Sequence, residues 1–244
     1  MIESVLPQAS TYAAHIDDLI MWVAIIVGFW FVAAEALFFY LLFRYRKKEG
    51  VKAVYLDDHD PTVKKWINIP HWIIIGLDLV ILVMAIRVWN EIKIDLPAAD
   101  STIRIVGQQW EWTFVHPGPD NLLDTADDIT TTNDLHVQVG KTYHYKLEAT
   151  DVLHDFSVPV FRLKQDAIPG RVITGWFTPT KTGEWDIQCA EMCGIGHGLM
   201  SARIHVESAE AHAAWVSGEF HPGVGVHRRL PRTPRRHRLW PPTR

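Results

Sequence analysis

Two thiols, an imidazole and a thioether stand close together in Gln188-Cys189-Ala190-Glu191-Met192-Cys193-Gly194-Ile195-Gly196-His197-Gly198-Leu199-Met200, a C-x-E-x-C-x3-H-x2-M pattern. Soft thiolate and thioether donors combined with imidazole select copper over hard cations. Gly194, Gly196 and Gly198 let the backbone fold tightly around one centre. Several chemistries compete for this pattern. A redox disulfide between Cys189 and Cys193 leaves His197 and Met200 without a role. Zinc has no need of the methionine. A mononuclear blue-copper site takes one Cys, two His and a weak Met, and this loop has one Cys more. A dinuclear copper site uses every donor, because two thiolates can bridge two ions. It needs a second imidazole from elsewhere. The best candidate is His154, in Asp151-Val152-Leu153-His154-Asp155-Phe156 at the end of a β-like run. The chain has 2 Cys in all, too few for a disulfide framework, so their closeness points to a metal or redox site.

A soluble domain must position these donors, and its sequence reads as β. Residues 102–116, 135–149, 171–179, 183–189 and 202–206 are rich in Val, Ile, Thr and aromatics. Pro117, Gly118, Pro119, Gly140, Pro169, Gly170 and Gly183 punctuate them. Short strands at turn-bounded spacing predict an all-β sandwich or barrel over residues 90–208. By strand alternation Trp110, Trp112 and Phe114 share one face. Residues 116–133, with Asp120, Asp124, Asp127 and Asp128, read as a solvated loop that could also dock a partner or hold Ca²⁺ weakly. The pattern fades after Glu210, and residues 209–244, Arg- and Pro-rich at their end, are expected to form a basic, disordered tail.

Two apolar runs precede that domain. Ile20 to Phe43 has Glu35 as its one charge, and Ile67 to Trp89 is apolar apart from His71, Asp78 and Arg87. Each is long enough to cross a hydrocarbon core of about 30 Å. Trp22 and Tyr45 lie at the ends of the first, where amphipathic rings favour the interface. Pro70 suits the first turn of the second. Residues 19–89 therefore read as a transmembrane hairpin, with 1–18 outside it. No Lys or Arg precedes the first run, so a secretory signal is not expected and the run should stay as a membrane helix. The connector, residues 44–66, carries Arg44, Arg46, Lys47, Lys48, Lys52, Lys64 and Lys65. The positive-inside rule puts it in the cytoplasm and both flanks on the outer, periplasmic side. Glu35 and Asp78 fall within the hydrocarbon region, where carboxylates are functional candidates by default. They could pair with another subunit, touch a proton path or pack as neutral acids.

The formal net charge is −4, and it hides an asymmetry. Arg is concentrated in residues 228–244, while residues 90–227 are strongly acidic. An acidic domain argues against nucleic acid and for a basic partner.

The chain resembles subunit II of cytochrome c oxidases. The resemblance rests on Asp-Val-Leu-His at 151–154, on Leu163-Lys164-Gln165-Asp166-Ala167-Ile168-Pro169-Gly170-Arg171, on the copper loop and on Gln109-Trp110-Glu111-Trp112. It covers roughly Ile20 to Val206. It implies a cupredoxin-like Greek-key barrel on a two-helix anchor, carrying the dinuclear copper centre called CuA. In the family pattern Cys189 and Cys193 bridge both coppers. His154 and Met200 complete one copper; His197 and the Glu191 carbonyl complete the other. The Glu191 side chain would reach a Mg²⁺ shared with subunit I. Trp110 matches the tryptophan that receives the electron from cytochrome c. The implied activity is relay of single electrons from cytochrome c to subunit I, where oxygen becomes water and protons are pumped. The implied partners are subunits I and III, cytochrome c and membrane lipid. The implied location is the bacterial plasma membrane, or the mitochondrial inner membrane. This chain carries no C-x-x-C-H, so no heme is expected in it. One departure is Val63-Lys64-Lys65-Trp66, which lacks the acid that many family members place just before the second helix's Trp. A CuA-bearing nitric oxide reductase subunit and a copper-delivery protein are the alternative readings.

Overall fold

The computed structural model describes residues 2–52 and 59–218, with the backbone of 227–228. The chain divides into two compact units: Ala14–Ile94, and the segment Met1–Ala13 together with the chain from Asp95 onward.

The first unit is two long helices. α1 (Ala13–Arg44) and α2 (Pro61–Trp89) have apolar stretches that none of the described residues covers. Phe29, Phe31, Phe38, Phe43 and Trp72 are all exposed. Burying so many aromatics in lipid is favourable and leaving them in water is not. The start of α2 corrects the expectation for Pro70. Asp60 is the N-cap, its carboxylate accepting from the Thr62 backbone N–H at 2.7 Å, and Pro61 takes the first turn, leaving Pro70 inside the helix. α2 runs on as a turn of π-helix, Asn90–Ile94, so the β unit begins at Asp95 and not at residue 90. Glu91 in that turn pairs with His15 Nδ1 of α1 at 2.8 Å.

The second unit is a sandwich. Its strands are β1 (Ser101–Gln108), β2 (Glu111–His116), β3 (Ile129–Thr132), β4 (Asp134–Gln138), β5 (Tyr143–Ala149), β6 (His154–Val158), β7 (Leu163–Ala167), β8 (Ile173–Phe177), β9 (Gly183–Cys189), β10 (Ser201–Glu207) and β11 (His227–Arg228). One sheet runs β11-β3-β2-β1-β5-β8 and the other β4-β10-β9-β6-β7. The strands form two sheets, not one closed barrel. Ile103 and Ile105 of β1, Leu147 of β5, Phe156 of β6 and Ile187 of β9 are fully buried, with Trp112 and Phe114 of β2 beside them. Alternation along β5 and β10 puts every second side chain into this core.

Elsewhere too the structure departs from the sequence expectations. β3 lies inside the stretch read as a loop, and residues 102–116 break into two strands at Gln109-Trp110. The leading residues are not a free segment before the helix. Ala9 N–H donates to Val160 O at 2.9 Å and Ala9 O accepts from Thr180 N–H at 2.9 Å. Tyr12 is buried edge-on against Trp176, 5.2 Å away. The tail boundary also moves. Residues 209–217 form α3 (Ala209–Ser217), capped by the Ser208 side chain, closed by Gly218 in the left-handed region (φ 77°) and anchored by buried Trp215. The backbone of His227–Arg228 pairs with β3; the rest of the expected tail lies outside the described residues.

Candidate metal centre

β9 delivers Cys189 at its last residue, and β10 starts at Ser201, so residues 190–200 form the loop between two paired strands. Cys189 N–H donates to Met200 O at 3.1 Å and closes the loop at its base. Inside it, Gly194 takes a positive φ of 122° and His197–Leu199 make one 3-10 turn. Gly is the residue that reaches such a φ without strain. The neighbouring strand β6 starts with His154, which therefore opens a strand and does not end one. β6 lies beside β9, with Phe156 opposite Cys189.

This framework brings the expected donors together. The Sγ atoms of Cys189 and Cys193 are 3.7 Å apart, far beyond the ~2.05 Å of a disulfide. His154 Nδ1 lies 4.0 Å from Cys189 Sγ, and His197 Nδ1 lies 3.7 Å from Cys193 Sγ. Met200 Sδ is 3.8 Å from Cys193 Sγ, and the Glu191 carbonyl oxygen is 3.2 Å from Cys189 Sγ. The ligand atoms of His154, Cys189 and Cys193 all lie within 4.8 Å of one another. His154, Cys189, Cys193 and Met200 are buried, His197 is partly exposed and Glu191 is exposed. The donor set is two thiols, two imidazoles, a thioether and a carbonyl, which suits copper. Burial, then the neighbouring Cys189, pushes the Cys193 thiol up to about 11. Thiolates in this pocket therefore need a cation beside them, and metal binding must release their protons.

Two residues that sequence reasoning left without a role support the cluster. Asp151 Oδ1 bonds His154 Nε2 at 2.8 Å, which leaves His154 Nδ1 free to face the sulfurs. The same carboxylate accepts from the Gln109 backbone N–H at 2.6 Å. Burial would raise Asp151, but its hydrogen bonds from His154, Gln109 and Val152 outweigh that and hold it below the ordinary carboxylate range. Gln109 Nε2 donates to Cys193 O at 2.8 Å. Both residues stand in the quoted motifs, Asp151 three before His154 and Gln109 next to Trp110; that adjacency is the one signal for them. Asp155 is a third. Burial, then its cross-strand neighbour Asp166, raises its carboxyl to about 7.

Trp110 sits in the turn between β1 and β2, not on the strand face shared by Trp112 and Phe114, which are fully buried. Its indole is partly exposed and lies flat against the metal loop. A Cβ on Gly196 would stand 2.4 Å from Trp110 Cδ2, and one on Gly194 would be 3.4 Å from Trp110 Nε1. Around it the loop presents Met192, Ile195 and Leu199, all strongly exposed. The Glu191 carboxylate is also exposed, accepting only from Met192 N–H at 3.2 Å among the described contacts. The acidic stretch is satisfied within its own unit. Arg104 pairs with Asp124 at 2.8 Å, Thr125 Oγ1 donates to Asp127 at 2.7 Å, and Asp124 N–H donates to Asp128 at 2.9 Å. Glu35 and Asp78 lie on α1 and α2, uncovered by this chain.

Residues 101–208 match the family profile "Cytochrome C oxidase subunit II, periplasmic domain". The chain is 35% identical over 232 residues to the alternative cytochrome c oxidase subunit 2 of Bradyrhizobium diazoefficiens, covering 85% of this chain and 81% of that protein. It is 28% identical over 240 residues to the cytochrome c oxidase subunit 2 of Cereibacter sphaeroides, covering 86% and 78%. Among solved structures, the periplasmic domain of subunit II of cytochrome oxidase (CoxB) of Bradyrhizobium japonicum aligns at 32% identity and a TM-score of 0.46, covering 51% of this chain and 96% of that one. A membrane-anchored hairpin, a cupredoxin-like sandwich and a copper donor set thus coincide with relatedness along most of the chain: it belongs to the cytochrome c oxidase subunit II family, as one subunit of an oxidoreductase complex.

Proposed function

We propose that this chain admits electrons into a heme–copper oxidase through a dinuclear copper centre. Cys189 and Cys193 would bridge the two ions; His154 and Met200 would complete one, and His197 and the Glu191 carbonyl the other. The observation that carries this is the pair of thiols 3.7 Å apart, flanked on both sides by an imidazole. One sulfur would serve a mononuclear site, and the second is explained by sharing. A thiolate-bridged copper pair supplies single-electron transfer with little bond rearrangement, because the unpaired electron is spread over both ions.

The protein's own part is to hold and shield that pair. β6, β9 and β10 fix the donors from three neighbouring strands, and the buried sulfurs are kept from water. Asp151 orients His154. Trp110 offers a partly exposed π-system packed on the loop backbone, where cytochrome c would dock among Met192, Ile195 and Leu199. The acidic domain would steer a basic donor. The exposed Glu191 carboxylate, a hard oxygen donor, would reach a Mg²⁺ at the contact with subunit I. The sandwich would face the periplasm, a reading that the connector's positive charge supports. Oxygen reduction and proton pumping would belong to subunit I, with subunit III and lipid completing the surroundings of the helices.

The test is rapid mixing of reduced cytochrome c with the oxidase holding Trp110→Phe. Cytochrome c oxidation should slow by at least tenfold (~1.4 kcal/mol on the barrier) while the copper spectrum stays as in the parent. An unchanged rate would remove Trp110 from the path.

A further inference from the structure

Away from the metal loop, the described residues hold a second concentration of titratable side chains that the electron path does not use. Trp215 fastens α3 to the sandwich. Its indole stacks on the His136 imidazole with centroids 4.3 Å apart and planes 11° apart. It meets His116 edge-on at 4.9 Å and lies beside His212 at 5.6 Å. His205 also stacks on His136, at 4.5 Å. Three imidazoles from β2, β4 and α3 thus gather at one indole, with a fourth, from β10, stacked on His136.

The charges available to balance them are few. Glu207 is shared: His136 Nδ1 is 2.8 Å from one of its oxygens and His212 Nδ1 is 3.0 Å from the other. Burial would raise the Glu207 carboxyl, but those two imidazoles outweigh it and hold it down to about 2. His205 sits between the carboxylates of Asp134 at 3.1 Å and Glu184 at 3.3 Å. His116 has no such partner. It is buried, and Thr131 Oγ1, 3.5 Å from His116 Nε2, already donates its own proton to the Asp134 carbonyl. The hydroxyl can therefore only accept, and Nε2 of a neutral His116 carries the hydrogen. Burial, then His136 and His212, push His116 well below the ordinary histidine range, with Glu207 opposing. His136 Nε2 is buried with no hydrogen-bond partner among the described residues. The remaining ionisable groups nearby are Tyr143, held up by burial, and Lys141 on the rim of the adjoining cavity.

We propose that this cluster is an acid-released latch: α3 stays docked while buried His116 is neutral and lets go as it takes up a proton. Glu207, already engaged by His136 and His212, leaves no carboxylate in contact with a charge on His116. The sign follows from the depressed histidine. Above about 6.5, the ordinary value, docked and undocked states are both neutral and docking is complete. Below it the undocked state takes the proton first, so docking weakens by up to about tenfold per pH unit through His116. Release would open the roughly 440 Å³ cavity that α3 walls together with Ile103, Tyr143 and Lys141. None of this depends on the metal.

Hydrogen-exchange mass spectrometry on the full chain in detergent micelles tests it, with rates corrected for intrinsic pH dependence. Protection of residues 209–217 should fall at least about tenfold between about pH 7.5 and about pH 5, while that of β10 holds. His116→Phe keeps an aromatic edge against Trp215 but cannot charge, and should flatten the fall. Glu207→Gln removes the compensating anion and should move the fall to higher pH. Equal protection of α3 at both pH values would overturn the latch, as would an unchanged pH profile in both variants.

Discussion

The Asp151 carboxylate touches two parts of the centre at once. It bonds the far nitrogen of His154 and the backbone N–H of Gln109, the residue before Trp110. The proposed metal ligand and the turn proposed to admit electrons are therefore tied together by one side chain. Removing such outer support typically costs ten- to a hundredfold in metal affinity. Asp151→Ala should weaken copper retention by about that factor in a chelator competition, with every direct donor still present. The donors themselves were legible in the sequence, because thiol, thioether and imidazole declare their chemistry by type. Asp151 and Gln109 were not, although both stand in quoted motifs. Their roles come from contacts made 42 and 84 positions away in the chain, to Gln109 from Asp151 and to Cys193 from Gln109. Spacing along a sequence does not carry that information.

At the scale of elements, the two tryptophans of Gln109-Trp110-Glu111-Trp112 part company. Alternation puts both on one strand face, but the chain turns at Gln109-Trp110, so Trp110 is released to the surface while Trp112 enters the core. Trp112 packs 5.5 Å from Phe156 and 6.0 Å from His154, beneath the metal loop. Trp112→Ala should destabilise the sandwich by about 3–5 kcal/mol in chemical denaturation, and loosen His154 with it. A loss below about 1 kcal/mol would show that the core closes over the gap. The strands β5, β9 and β10 were readable from their alternation. β7, with Lys164, Gln165 and Asp166, was not, since most of its side chains face out. α3 was missed for a different reason. It is short and its apolar face is little more than Trp215, yet Ser208 and Gly218 mark its two ends. The start of α2 likewise lay in Asp60-Pro61, a cap and a first-turn proline, outside the apolar run.

For the whole molecule, the segment up to Ala13 packs on the sandwich, and the connector between the two apolar helices is basic. By the positive-inside rule the β unit is proposed to lie on the periplasmic side. A membrane-impermeant amine reagent applied to intact spheroplasts should modify Lys141 and Lys181 but reach Lys64 and Lys65 only after lysis; the reverse pattern would invert the orientation. The exposed aromatics of both helices are then lipid- or subunit-facing, as family membership requires of a membrane-anchored subunit. The account turns on one pair of sulfurs, and metal counting with electron paramagnetic resonance on the copper-loaded full chain tests it most directly. Two coppers per chain should be found, with a hyperfine pattern of one electron shared by two equivalent nuclei that collapses in Cys193→Ser. One copper per chain with a single-nucleus pattern, or a signal that survives Cys193→Ser unchanged, would contradict it.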